Sequence, residues 1–100
     1  MVVEYIRYSI PPEQAAEFEE AYGRAAAVLD ESSRCISYEL AKGVEEPDHY
    51  ILRIEWTSVE DHEQGFRKSP GFQQFFAAIR PFFDQIEEMK HYGRTTVASA

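Results

Sequence analysis

Cysteine occurs once in these 100 residues, as Cys35. A lone cysteine excludes an internal disulfide framework and any cysteine-based structural zinc site, leaving only a bridge between chains. Its strand context reads as a small buried thiol. Basic residues are scarce: ten Lys and Arg stand against eighteen Asp and Glu, a net charge of −8. That balance argues against a nucleic-acid backbone or an anionic membrane surface as partner, since both require a positive field. Long apolar runs are missing too. The opening segment MVVEYIRYSI is interrupted by Glu4 and Arg7, so it reads as neither a signal peptide nor a membrane span, and the expected location is the cytoplasm. The five glycines are scattered and form no phosphate-cradling loop. His49, His62 and His91 fall on three different segments without metal-ligand spacing, and no serine lies in a nucleophile elbow. The expectation is a protein with no cofactor and no metal.

Aromatic residues, by contrast, are abundant: seven Phe, six Tyr and one Trp. This is more flat surface than a small core needs, and it points to a pocket, an interface, or both. Charge is uneven along the chain. Residues 1–63 carry fifteen acids and five bases, whereas residues 64–100 carry three acids and five bases. The basic half would favour an anionic or phenolate ligand, although solvated helix faces account for the same imbalance.

Val2 to Ile10 alternates as a strand, and Pro11-Pro12 stops it. From Glu13 to Asp30, Ala15, Phe18, Tyr22, Ala25 and Leu29 recur at helical spacing. Arg34 to Lys42 alternates again, with Ile36, Tyr38 and Leu40 on one side. His49 to Trp56 places Tyr50, Leu52, Ile54 and Trp56 on a continuous apolar face. The short loop between these two strands predicts an antiparallel hairpin. Thr57 or Ser58 caps a short helix to Phe66, with Val59, His62 and Phe66 on one face. A second helical piece runs from Phe72 to Arg80, Gln85 to Tyr92 reads as a strand, and residues 93–100 as a fraying tail.

The order β-α-β-β-α-β predicts one α+β domain over residues 1–100. It is ferredoxin-like, a four-stranded antiparallel sheet with both helices on one face. The other face carries Tyr5, Ile51 and Arg53 with Ile86 and Tyr92, too apolar for water and too polar for a core. Pairing across a twofold axis resolves that conflict, so a homodimer is expected.

The candidate site is an aromatic cavity between sheet and helices. Trp56 ends the apolar face of its strand, and His62 points where the next helix buries its stripe. A histidine there must find a hydrogen-bond partner or a ligand. His91 alternates with Met89 and faces the same space. Tyr8 and Tyr38 direct hydroxyls inward, while Phe66, Phe72 and Phe76 supply either core packing or ligand walls.

The stretch Ile51-Leu-Arg-Ile-Glu-Trp56-Thr-Ser-Val-Glu-Asp-His62, followed by Gly65-Phe66-Arg67-Lys68-Ser69-Pro70-Gly71-Phe72, resembles the antibiotic biosynthesis monooxygenase (quinol monooxygenase-like) family. The resemblance implies a dimeric α/β-barrel, two four-stranded sheets packed face to face. It also implies oxygenation of a small hydroquinone or polycyclic phenol by O₂ without metal, flavin or haem, the substrate supplying the electrons. Trp56 matches the family's pocket tryptophan, with His62 or His91 as the base and Tyr8 and Tyr38 steering hydroxyls. Many members carry a histidine nine residues past that tryptophan, where this chain has Gly65, and some use an asparagine, a residue absent here. These departures favour a second reading, a non-catalytic ligand-binding dimer on the same scaffold, and count against the haem-degrading branch of the fold; a third, weaker reading is haem binding with His62 or His91 as axial ligand.

Overall fold

The computed structural model describes residues 1–99. Four strands build one antiparallel sheet: β1 (Val2–Ser9), β2 (Cys35–Lys42), β3 (His49–Trp56) and β4 (Ile86–Gly93), in the order β2-β3-β1-β4. Helices α1 (Ala15–Glu31) and α2 (Pro70–Ile79) cover one face. This is the ferredoxin-like α+β arrangement that the element order predicts.

Alternation explains which face is dry. In β1 the even positions Val2, Glu4, Ile6 and Tyr8 point at the helices, and β3 contributes Tyr50, Leu52, Ile54 and Trp56. α1 returns Phe18, Ala21, Tyr22, Ala25 and Leu29 at helical spacing. Phe18 sits at the centre, its ring 4.8 to 5.2 Å from those of Tyr8, Tyr22, Tyr50 and Phe82. Edge-to-face packing of this kind adds to area burial.

Four details depart from the sequence reading. A bulge in β2 between Cys35 and Ser37 reverses the local phase: Cys35 packs on the core and Ile36 turns outward, 46% exposed. Burial, followed by the charge of Asp30, lifts the Cys35 thiol to about 11, which keeps it protonated. A second irregularity pairs Arg7 with Glu88 but Tyr8 with Ile86, so Ile86 faces the helices and not the open face. Third, the short helix after β3 is a π-helix, Asp61–Phe66, and Val59 is 41% exposed instead of sharing the buried stripe of His62 and Phe66. Fourth, Gly93 closes β4 and Arg94 pairs with Glu55 at 3.1 Å, so the tail expected to fray from 93 is anchored at its start; its end, Ala100, lies outside the described residues.

The open face of the sheet shows Tyr5 and Tyr92 in edge-to-face contact at 5.5 Å, beside Ile51. Among the described residues no helix is long and apolar enough to cross a membrane.

Candidate active site

Four elements meet at one end of the sheet. Glu4 on β1 lies between Ile54 of β3 and His91 of β4 in the strand register. Trp56 is the last residue of β3, and the chain then turns back over it. Ser58 Oγ accepts the Asp61 N–H at 2.9 Å, which starts the helical segment. The Arg67 N–H donates to the His62 carbonyl at 3.0 Å, a five-residue step that defines the π-turn. That wider turn lays both His62 and Phe66 against the indole. His62 stacks on Trp56 with centroids 4.4 Å apart and planes 11° from parallel, and Phe66 follows at 5.0 Å.

Hydrogen bonds tie these residues into one chain. The Trp56 Nε1–H donates to Glu4 Oε1 at 3.0 Å. His62 Nε2 stands 3.5 Å from the same oxygen, and His62 Nδ1 lies 2.7 Å from His91 Nε2. One ring of this histidine pair donates its N–H and the other accepts, the tautomer setting which. Glu4 Oε2 has no protein partner among the described residues.

Burial dominates the electrostatics. Glu4 is 2% exposed, and desolvation raises its pKa above the ordinary carboxylate value, outweighing the opposing effects of the Trp56 hydrogen bond, His91 and Arg67. His62 is pushed the other way, to about 4, first by desolvation and then by the electrostatic effects of Arg67 and His91. It is a neutral imidazole at pH 7.

The chain borders a cavity of about 240 Å³. Its walls are apolar, from Ile6 and Ile54 on the sheet to Phe72, Phe76 and Phe83 on the helical side, with Met89 of β4. Its polar groups are Glu4, Tyr8, His62 and Arg67. The Tyr8 hydroxyl is bonded to that of Tyr22, and burial lifts Tyr8 to about 12, so it stays protonated.

The structure brings together most of the residues singled out from sequence. Trp56, His62, Tyr8, Phe66, Phe72 and Phe76 all border the cavity. His91 stands behind His62 and meets it through the hydrogen bond. Tyr38 does not belong: it sits on the sheet's edge strand, and its hydroxyl donates to Asp30 Oδ1 at 2.7 Å. Two residues escaped the sequence reading, Glu4 and Arg67. Glu4 carried a usable signal, because it is in phase with Val2, Ile6, Tyr8 and Ile10, and an acid on an apolar stripe must have a partner. At Gly65, an added Cβ would run into the Arg34 side chain.

Glu4, His62 and His91 are of metal-ligating types, with ligand atoms within 4.8 Å of one another. Glu4 Oε1 is engaged with Trp56 and the two histidines with each other, and a metal ion would have to displace the proton between the histidines.

A family model for antibiotic biosynthesis monooxygenases matches residues 1–78, which include Glu4, Trp56 and His62. The chain belongs to the antibiotic biosynthesis monooxygenase family. Within the curated proteins, the uncharacterised Bacillus subtilis protein YczJ is 34% identical over 76 residues, 76% of this chain and 80% of that protein. Solved structures share the fold at lower identity. SnoaB, a cofactor-independent oxygenase from Streptomyces nogalater, superposes with a TM-score of 0.73 at 21% identity, covering 98% of this chain and 97% of its own. A conserved protein of Methanosarcina mazei gives 0.77 at 18% identity, over 94% and 92% of the two chains. The family match stops before β4, so His91 lies beyond it.

Proposed function

We propose that this family member is a cofactor-independent monooxygenase that oxidises a small aromatic diol or related phenol with O₂, working as a homodimer in the cytoplasm. The observation that carries this reading is the cavity itself: an aromatic, apolar enclosure with its proton-accepting groups gathered at Trp56. Such an enclosure binds a flat ring, keeps water from the reactive anion and leaves the electrons to the substrate. At about 240 Å³ the space is smaller than the roughly 300–1,000 Å³ pockets that hold drug-sized ligands, so a one-ring hydroquinone fits the reading better than a polycyclic phenol or a haem.

In the proposed reaction the ionised hydroquinone passes an electron to O₂, and the two radicals recombine at a ring carbon. Loss of water then gives the hydroxyquinone. One oxygen atom enters the ring, the other leaves as water, and the four electrons come from the substrate. Trp56 is the flat wall against which the ring lies, held in place by its bond to Glu4 and its stack on His62. The partner sheet of the dimer covers Tyr5, Ile51 and Tyr92, the aromatic and aliphatic side chains of the open face.

The test is oxygen uptake by purified protein with a panel of hydroquinones and anthrones, each corrected for autoxidation. Uptake above background on one-ring diols supports the assignment, and none across the panel removes it.

A further inference from the structure

The base that ionises the substrate is open in the reading above, and this inference rests on that reading. Histidine is the obvious candidate for the task, but His62 is badly placed for it. Nδ1 is engaged with His91 Nε2 at 2.7 Å, and Nε2 points to Glu4 Oε1, 3.5 Å away, so the ring's two nitrogens are directed at His91 and Glu4. The ring's broad face is taken up by the Trp56 stack. His91 lies behind His62 and is not part of the cavity wall.

We propose that Glu4 is the catalytic base: its Oε2 takes the proton of the substrate hydroxyl, while the Trp56 indole N–H holds Oε1. The carboxylate is in the cavity wall, and among the described residues Oε2 has no protein partner, whereas Oε1 accepts the Trp56 N–H and has His62 Nε2 3.5 Å away. An oriented carboxylate with one bonded and one free oxygen, facing an apolar enclosure, is the arrangement general-base chemistry requires. The proton moves from phenol oxygen to carboxylate oxygen and the electron pair stays on the substrate, so the cavity's total charge is unchanged. The charge only migrates from Glu4 to the phenolate. Arg67, the cation in the same wall, then faces the new anion. Burial also raises the carboxyl's proton affinity towards that of a phenol, which narrows the uphill gap for transfer. The ionisable groups that act on Glu4 are His62, Glu63 and Arg67 from the segment over the sheet and His91 from β4. His62 and His91 are positioning residues in this scheme.

Two measurements on the full-length protein decide it. The first uses no oxygen: 4-nitrophenol, whose anion absorbs in the visible, is bound anaerobically to wild type and to Glu4→Gln across a pH series. In wild type the bound probe is ionised at a pH where free probe is neutral, because Glu4 holds the proton. In Glu4→Gln the bound probe stays neutral there. Equal ionisation in both proteins, or a cavity that binds no probe, overturns the proposal. The second is turnover of the hydroquinone that wild type consumes. Glu4→Gln lowers kcat by about 100-fold or more with KM little changed. Its rate rises with pH until the substrate ionises unaided, and Glu4→Asp recovers part of the loss. Wild-type kcat and pH profile in Glu4→Gln overturn the role of Glu4 alone. An inactive wild type with normal probe ionisation overturns the monooxygenase reading and leaves the proton acceptor standing.

Discussion

Trp56 and His62 lie ring on ring, 4.4 Å apart and 11° from parallel, although one ends a strand and the other rides on a π-turn. The stack is part of the burial that, with Arg67 and His91, pushes the His62 imidazole down to about 4. The same indole donates its N–H to Glu4 Oε1 at 3.0 Å, so Trp56 touches both the histidine and the carboxylate.

A pH dependence of stability follows. The folded pKa of His62 is depressed from 6.5 to about 4, so the unfolded state binds more protons between these values. The contribution is fully present above about pH 6.5 and is lost as pH falls towards 4, reaching about 3 kcal/mol. Glu4 has the opposite sign, because its raised pKa favours the folded state below the ordinary carboxylate range and loses that advantage as pH rises. Urea unfolding of wild type and His62→Gln at pH 7 and pH 4.5 separates the two. The variant's stability falls less on acidification than the wild type's; parallel losses contradict the assignment.

Trp56→Phe keeps a ring against His62 but removes the donor to Glu4. The buried oxygen then lacks its strongest partner, at a cost of about 1–3 kcal/mol. Turnover falls by roughly tenfold or more as the carboxylate loses its fixed orientation. Thermal unfolding and oxygen uptake measure the two effects on the same sample.

Much of this was legible before the fold was seen. Val2, Ile6 and Tyr8 against Tyr50, Leu52, Ile54 and Trp56 announce two half-buried strands, and the stripe from Phe18 to Leu29 announces the helix that covers them. His62 stands out as a polar residue on an apolar stripe. Glu4 lies on an apolar stripe in the same way, but the residues that make it tolerable lie 52 and 58 positions away, beyond what local pattern shows. The bulges at Ile36 and beside Ile86 were illegible in principle, since an extra residue in one strand is defined only by the strand it pairs with. Tyr38 was misplaced through the same gap: its outcome depends on Asp30 of α1, which claims the hydroxyl at the sheet's edge. The π-turn at His62 likewise depends on what the indole beneath it requires.

The open face makes a prediction about assembly. Ile51→Lys adds a third cation, next to Arg7 and Arg53, in the patch formed with Tyr5 and Tyr92. In sedimentation equilibrium the wild type is expected at twice the 11.6 kDa chain mass and the variant at the single-chain mass. A monomeric wild type contradicts the proposed pairing of sheets.

Metal removal tests the bond between the histidines. If His62 and His91 share a proton, dialysis against a chelator leaves oxygen uptake unchanged and added zinc does not raise it. Activity lost to chelation and restored by a divalent ion makes Glu4, His62 and His91 a metal centre instead.

The most direct measurement is mass spectrometry of the product formed from a one-ring hydroquinone under isotopically labelled dioxygen, with wild type and Trp56→Phe side by side. The account predicts one labelled oxygen atom per product molecule, label in the water released, and a lower rate in the variant. Product that carries no label, or a plain quinone formed equally by both proteins, would contradict it.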